Sequence, residues 1–185
     1  MIGILPKSLF VDDKAYKINT DFRVVLLIFS AYNDEDLTDF EKMQICVKCL
    51  YKEVPHNVKE AYNQALWFLD GGKVDDSKQS KKAKIMDWEQ DESIIFSSIN
   101  KVAGFEVREK NYIHWWTFLG YFNEISEGYF SYVMSLRAKK RDGKKLSKSE
   151  QEFYKTHKKD IDIKQKLTKD EKEEQEDIKR MLGLI

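Results

Sequence analysis

Along this chain apolar residues recur at steps of three and four for most of its length, and at steps of two only near its start. Leu9 and Val11 alternate with polar neighbours, and Asp12-Asp13-Lys14 supplies turn chemistry between residues 8–11 and 15–18. That pattern predicts a short β-hairpin, the only sheet the chain calls for. Thr20 can cap the next segment, residues 21–31, where Phe22, Val25, Leu26 and Phe29 give helical spacing. The run VVLLIF inside it is partly β-branched, but its length and cap favour a helix.

Thr38-Asp39-Phe40-Glu41 forms a capping box and opens a helix running to about Tyr51. Pro55 breaks the chain, and residues 58–70 then carry Val58, Ala61, Tyr62, Ala65, Leu66 and Leu69 on one side. Gly71-Gly72 suits a left-handed helix end. Residues 84–125 hold the two most aromatic segments, joined by a turn at Gly104. Trp88, Ile95, Ile99 and Val102 stripe the first; Tyr112, Trp115, Leu119 and Phe122 stripe the second, with Trp116 and Phe118 beside them. Each such side chain contributes about 1.5–3 kcal/mol on leaving water, so this pair is the expected centre of the core. Tyr129, Tyr132, Val133 and Leu136 predict a further helix from Gly128 to about Arg137.

Beyond Arg137 most residues are charged. Capping boxes at Ser147–Glu150 and Thr168–Glu171 predict two thin-faced helices, near residues 148–158 and 169–182. The expected organisation is therefore a helical core domain over residues 1–137 with its N-terminal hairpin, an exposed linker at about 73–84, and a charged helical appendage over 138–185. The fold class is mainly α, a single helical domain with a small N-terminal β-hairpin and extended charged C-terminal helices. A chain of 185 residues suits one core better than two.

Charge and cysteine content narrow the function. Thirty-two basic and thirty-two acidic side chains cancel, which removes the compositional argument for a nucleic-acid partner. No stretch approaches the roughly 18 apolar residues that span a bilayer, and the start lacks a basic segment followed by a long apolar run. A soluble, cytosolic protein with no membrane partner is expected. The two cysteines, Cys46 and Cys49, have the spacing of a metal knuckle or redox pair, but they fall inside a helix beside Met43, Val47 and Leu50. They read as small core residues. His114 and His157 lack a Ser, Cys or Asp at motif spacing and read as packed or capping groups. Asp87, Glu89, Asp91 and Glu92 cluster where a helix begins, with Asp87 and Gln90 placed as a cap. The basic run 139–148 is the best candidate for phosphate contact, yet it has no interleaved aromatic residue and reads as a solvated or protein-binding face. No catalytic residue, metal or cofactor is predicted, and an enzyme is not expected.

Three motifs together carry a resemblance: Tyr16-x-Ile18-Asn19-Thr20-Asp21-Phe22-Arg23, then Asp87-Trp88-Glu89-Gln90-Asp91, then Tyr112-Ile113-His114-Trp115-Trp116-Thr117-Phe118. In order and spacing they resemble the bacteriophage "gp fifteen" family, over most of residues 3–158. That family is encoded among the tail genes of long-tailed phages and prophages, beside the tape-measure gene. The resemblance implies a non-enzymatic tail assembly chaperone that binds the tape-measure protein in the host cytoplasm, with other tail proteins as further candidate partners. It would be absent from the finished virion. A homo-oligomer is compatible with this role. Trp115, Trp116 and Phe118 are the candidate contact face. The alternatives are a structural subunit of the tail or baseplate, and a nucleic-acid-binding phage regulator using the basic run.

Overall fold

The computed structural model describes residues 3–73, 84–164 and 169–181. Its hairpin pairs β1 (Ser8–Val11) with β2 (Lys14–Lys17), Val11 opposite Lys14 and Leu9 opposite Tyr16. Asp12 and Asp13 both take positive φ, 47° and 61°, as a two-residue hairpin turn of type I′ requires. Leu9, Val11 and Tyr16 point into the core, while Phe10 points out. Backbone hydrogen bonds from Asn19 to Leu50 (2.7 Å) and from Lys52 to Lys17 (3.0 Å) fasten the hairpin to the following helices.

Nine α-helices are described. The first five are α1 (Phe22–Tyr32), α2 (Asp39–Leu50), α3 (Val58–Leu69), α4 (Glu92–Ala103) and α5 (Trp115–Asn123). Then come α6 (Tyr129–Arg141), α7 (Lys148–Thr156), α8 (Lys158–Ile161) and α9 (Lys169–Met181), with a 3-10 turn over Val107–Glu109 between α4 and α5. The capping boxes at Thr38 and at Ser147 form as expected, each with the reciprocal glutamate bond. Thr168 and Leu182, the two ends of the last predicted helix, lie outside the described residues, as do residues 74–83 of the expected linker.

Several boundaries correct the sequence reading. Asp21, not Thr20, caps α1: its Oδ1 accepts the Arg23 N–H at 3.0 Å, while the Thr20 hydroxyl meets Tyr112 Oη at 2.7 Å. A carboxylate one position closer to the helix takes the backbone donor, and this frees the threonine for a long-range contact. Trp88 is not in α4 but in the turn before it, and Val102 at the far end of that helix is exposed. Asp87 does act as a cap, but of that turn, where its Oδ1 accepts from Glu89 and Gln90 at 2.9 Å each. Tyr112 likewise precedes α5 and is exposed. Gly71, Gly72 and Gly104 take the left-handed conformation at helix ends, as the pattern indicated.

The main core joins the hairpin to α1–α5 and the start of α6, with Phe22 stacked on Phe118 at 4.3 Å and 5°. A smaller cluster of Val133, Leu136 and Ile161 lies under α7 and α8, covered by Leu146, Phe153 and Tyr154. Ile94 and Met134 pack against both clusters. Helix α6 runs through residue 137 without a break. Among the described residues no helix is long and apolar enough to cross a membrane.

Candidate protein-binding grooves

The three residues singled out for partner contact separate once folded. His114 starts α5: its Nδ1 accepts the Trp116 N–H at 3.0 Å, so its Nε2 carries the proton and donates to the Pro6 carbonyl at 2.9 Å. Backbone bonds from Trp115 to Thr20 (2.7 Å) and from Phe22 to Ile113 (3.0 Å) then stitch the start of α1 to the start of α5. Trp115 follows into the core, where its indole N–H donates to the Leu69 carbonyl at 2.9 Å and it is 1 % exposed. Phe118 is wholly buried against Phe22. Neither can touch a partner while the domain is folded, because the helical stripe that marks an apolar face is the core stripe. Trp116, one step round the helix, is half-buried, and its indole N–H donates to the Phe68 carbonyl at 2.9 Å.

Trp116 lines a groove of about 730 Å³ between the hairpin, α3 and α5. Trp67 meets it edge-on at 5.3 Å, and Ile4, Pro6, Phe10 and Gln64 complete the walls. None of the lining side chains is charged. Phe10 is 64 % and Ile4 62 % exposed, a solvent-facing apolar pair on a chain that is 35 % charged. A Cβ at Gly72 would fall 2.7 Å from Trp116 Cη2, so the backbone itself forms part of the support for this ring. Hydrophobic periodicity could not have found Ile4 and Phe10, because both lie off every apolar stripe.

A second groove, of about 360 Å³, opens between α1, α4 and the turn bearing Trp88. Phe22, Leu26, Trp88 and Phe96 form its apolar lining. Arg23 and Arg108 lie over the Phe22 and Phe96 rings at 4.5 and 5.0 Å. Each guanidinium is matched by its own carboxylate, Asp21 at 3.2 Å and Glu106 at 2.7 Å. The hydrogen bonds from Arg108 hold the Glu106 carboxyl down at about 2.

The other candidates resolve into structure. Burial pushes the Cys46 thiol up to about 11, the opposite of an activated thiolate. In the basic run, Lys139 pairs with Glu150 and Lys140 with Asp162, both at 2.5 Å, and Arg141 with Asp142 at 2.9 Å. These three cations are committed within the chain and are less available to a phosphate backbone. His157 stacks on Phe153 at 4.1 Å, beside Tyr129. Asp91 forms a buried bidentate pair with Arg137, at 2.6 and 2.8 Å, which sequence reasoning missed.

The fold and its grooves define a class: a mainly helical domain with an N-terminal hairpin, offering apolar recesses on a chain that is 35 % charged. Residues 1–163 match the family model described as Bacteriophage Gp15 protein, and the chain belongs to that family of phage proteins. No curated protein and no solved structure matches the chain.

Proposed function

We propose that this phage protein is a non-enzymatic tail assembly chaperone that shields apolar segments of the tape-measure protein until the tail tube encloses them. The uncharged groove around Trp116 and Trp67, with Phe10 and Ile4 at its lip, is the observation that carries the reading. A holdase needs an apolar recess for its client and a charged exterior that keeps the complex dispersed. Of the three residues first singled out, Trp116 is the one that lines this groove. The protein acts in the host cytoplasm and leaves before the virion is complete.

Co-expression with the tape-measure protein of the same tail-gene cluster, followed by affinity capture and mass determination, tests this reading. A soluble complex, with the client insoluble when made alone, is the expected result. Phe10→Ser should then reduce captured client several-fold without moving the melting temperature, since that ring is mostly in solvent. A client that is soluble alone, with nothing captured, overturns the proposal; the protein's presence in purified virions would replace it by a structural tail subunit.

A further inference from the structure

The hairpin has two outer edges, and they are treated differently. Its two-residue turn makes Val11 and Lys14 a hydrogen-bonded pair, so Leu9 with Tyr16 and Lys7 with Ile18 are bonded pairs too; the Ile18 N–H donates to the Lys7 carbonyl at 3.1 Å. The N–H and C=O groups of Ser8 and Phe10 therefore point away from β2, and those of Ala15 and Lys17 away from β1. On the β2 side the chain supplies its own cover. Tyr51 bridges to Ile18, and the Lys52 N–H donates to the Lys17 carbonyl at 3.0 Å. On the β1 side, among the described residues, no group bonds the main chain of Ser8 or Phe10. That open edge is a wall of the Trp116 groove. Helix α3 runs along it: its cap Asn57 donates to Asp12 in the hairpin turn at 3.0 Å, and Trp67 near its other end lines the groove with Ile4 and Pro6.

Ser8 and Phe10 present their free groups about 7 Å apart, the two-residue repeat of an extended chain. A helix uses its main-chain donors internally and would leave both residues unpaired, whereas an extended segment pairs with both. We infer that the groove takes its client segment as an added β-strand, its main chain bonded to Ser8 and Phe10 and its alternate side chains directed onto Trp67 and Trp116. This deepens the proposed function and rests on it for the identity of the client. The segment's remaining side chains face solvent, on the side where Phe10 stands. The matching sequence therefore alternates apolar and polar residues, with no charge at the apolar positions, because no charged side chain lines the groove. In strand addition the main chain supplies affinity and the pockets for alternate side chains supply selectivity.

Fluorescence anisotropy with the labelled, end-blocked peptide Lys-Thr-Val-Thr-Leu-Thr-Val-Thr-Lys tests the inference on the full chain. Every second N–H of an added strand faces its neighbour, so N-methylation of the two inner threonines and N-methylation of the two valines remove donors of opposite direction. One methylated peptide should bind about tenfold more weakly, the size of two lost hydrogen bonds, and the other within twofold of the parent. Ser8→Pro deletes an edge donor at a position where proline is tolerated, and should weaken the parent peptide several-fold; Ser8→Ala, which keeps the donor, should not. In NMR the Ser8 and Phe10 amide protons should exchange quickly in the free protein and slowly at saturating peptide. Thermal melts verify folding of the variants, and the methylated peptides, which leave the protein untouched, decide if a melt shifts. No saturable binding, or equal losses from the two methylated peptides, overturns strand addition. Undiminished capture of the tape-measure protein by a folded Ser8→Pro variant also overturns it and leaves the chaperone reading standing; failure of the unaltered chain to capture that client sinks the chaperone reading while the peptide result stands.

Discussion

The neutral state of His114 is part of the fold. Burial lowers its pKa from the ordinary 6.5, against the opposing pull of the Pro6 carbonyl, and Lys7 lowers it further. Protonation would also cost the cap, because a charged ring has no lone pair for the Trp116 N–H. The unfolded chain therefore binds this proton more readily than the folded one, so stability declines as pH falls below about 6.5 and the loss is complete once pH passes the lowered folded value. Following the His114 ring resonance by NMR should give a midpoint below 6.5, with the melting temperature falling over the same interval. A midpoint at or above 6.5 would contradict the assignment. That the histidine is a packed or capping group was legible from the lack of a Ser, Cys or Asp at motif spacing, but the stripe beginning at Tyr112 placed it inside the helix rather than at its start. Its tie to Pro6, 108 residues away, was not legible, because spacing rules report only neighbours within a turn or two.

Between elements, Arg137 is the strut that joins α6 to α8 and to the approach to α4. Its guanidinium donates to both oxygens of Asp91 and to the carbonyls of Ile85, Asp160 and Ile161, all within 3.0 Å. Both side chains of the ion pair are almost fully buried, at 4 % and 2 % exposed. Removing one partner of such a pair leaves the other charged and unsatisfied, whereas replacing both by apolar residues does not. Arg137→Ala should lower unfolding free energy by about 3–5 kcal/mol, and Arg137→Met with Asp91→Leu should recover much of that, as read by urea denaturation. In the sequence Arg137 stands where charge begins to dominate, so it reads as the start of a solvated stretch. Nothing local distinguishes a buried arginine from an exposed one. The elements themselves were far more legible: caps and stripes located the hairpin and the helices of the body to within a few residues. The errors fell where a tertiary partner took a residue away from its helix, as with Trp88 and Tyr112.

For the molecule as a whole, the division of its C-terminal third has a direct consequence. Ile161 is buried beneath α7, and the Lys164 N–H donates to Gln90 Oε1 at 2.8 Å. On α9, Ile178 and Met181 are exposed. A chain ended after Lys164 should melt within a few degrees of the full protein. One ended after Lys145 loses Ile161, Phe153 and the Asp160 and Ile161 carbonyls that Arg137 meets, and should lose several kcal/mol through the cavity and the guanidinium donors left unsatisfied. Calorimetry of the two deletions separates these outcomes. The family match, which ends at residue 163, falls at nearly the same place. The grooves were the least legible part. Amphipathic patterns mark what a chain hides, and Phe10, Leu27 and Ile4 are apolar residues that the finished fold leaves in water.

The distribution of the four tryptophans turns the molecule into its own spectrometer. Trp88 lines the α1 groove, Trp67 and Trp116 line the hairpin groove, and Trp115 is sealed in the core. Fluorotryptophan incorporated at all four positions places one resonance in the first recess, two in the second and an internal standard between them. A single titration can therefore show which recess a partner enters, and in what order, at the cost of one hydrogen exchanged for fluorine on each indole ring.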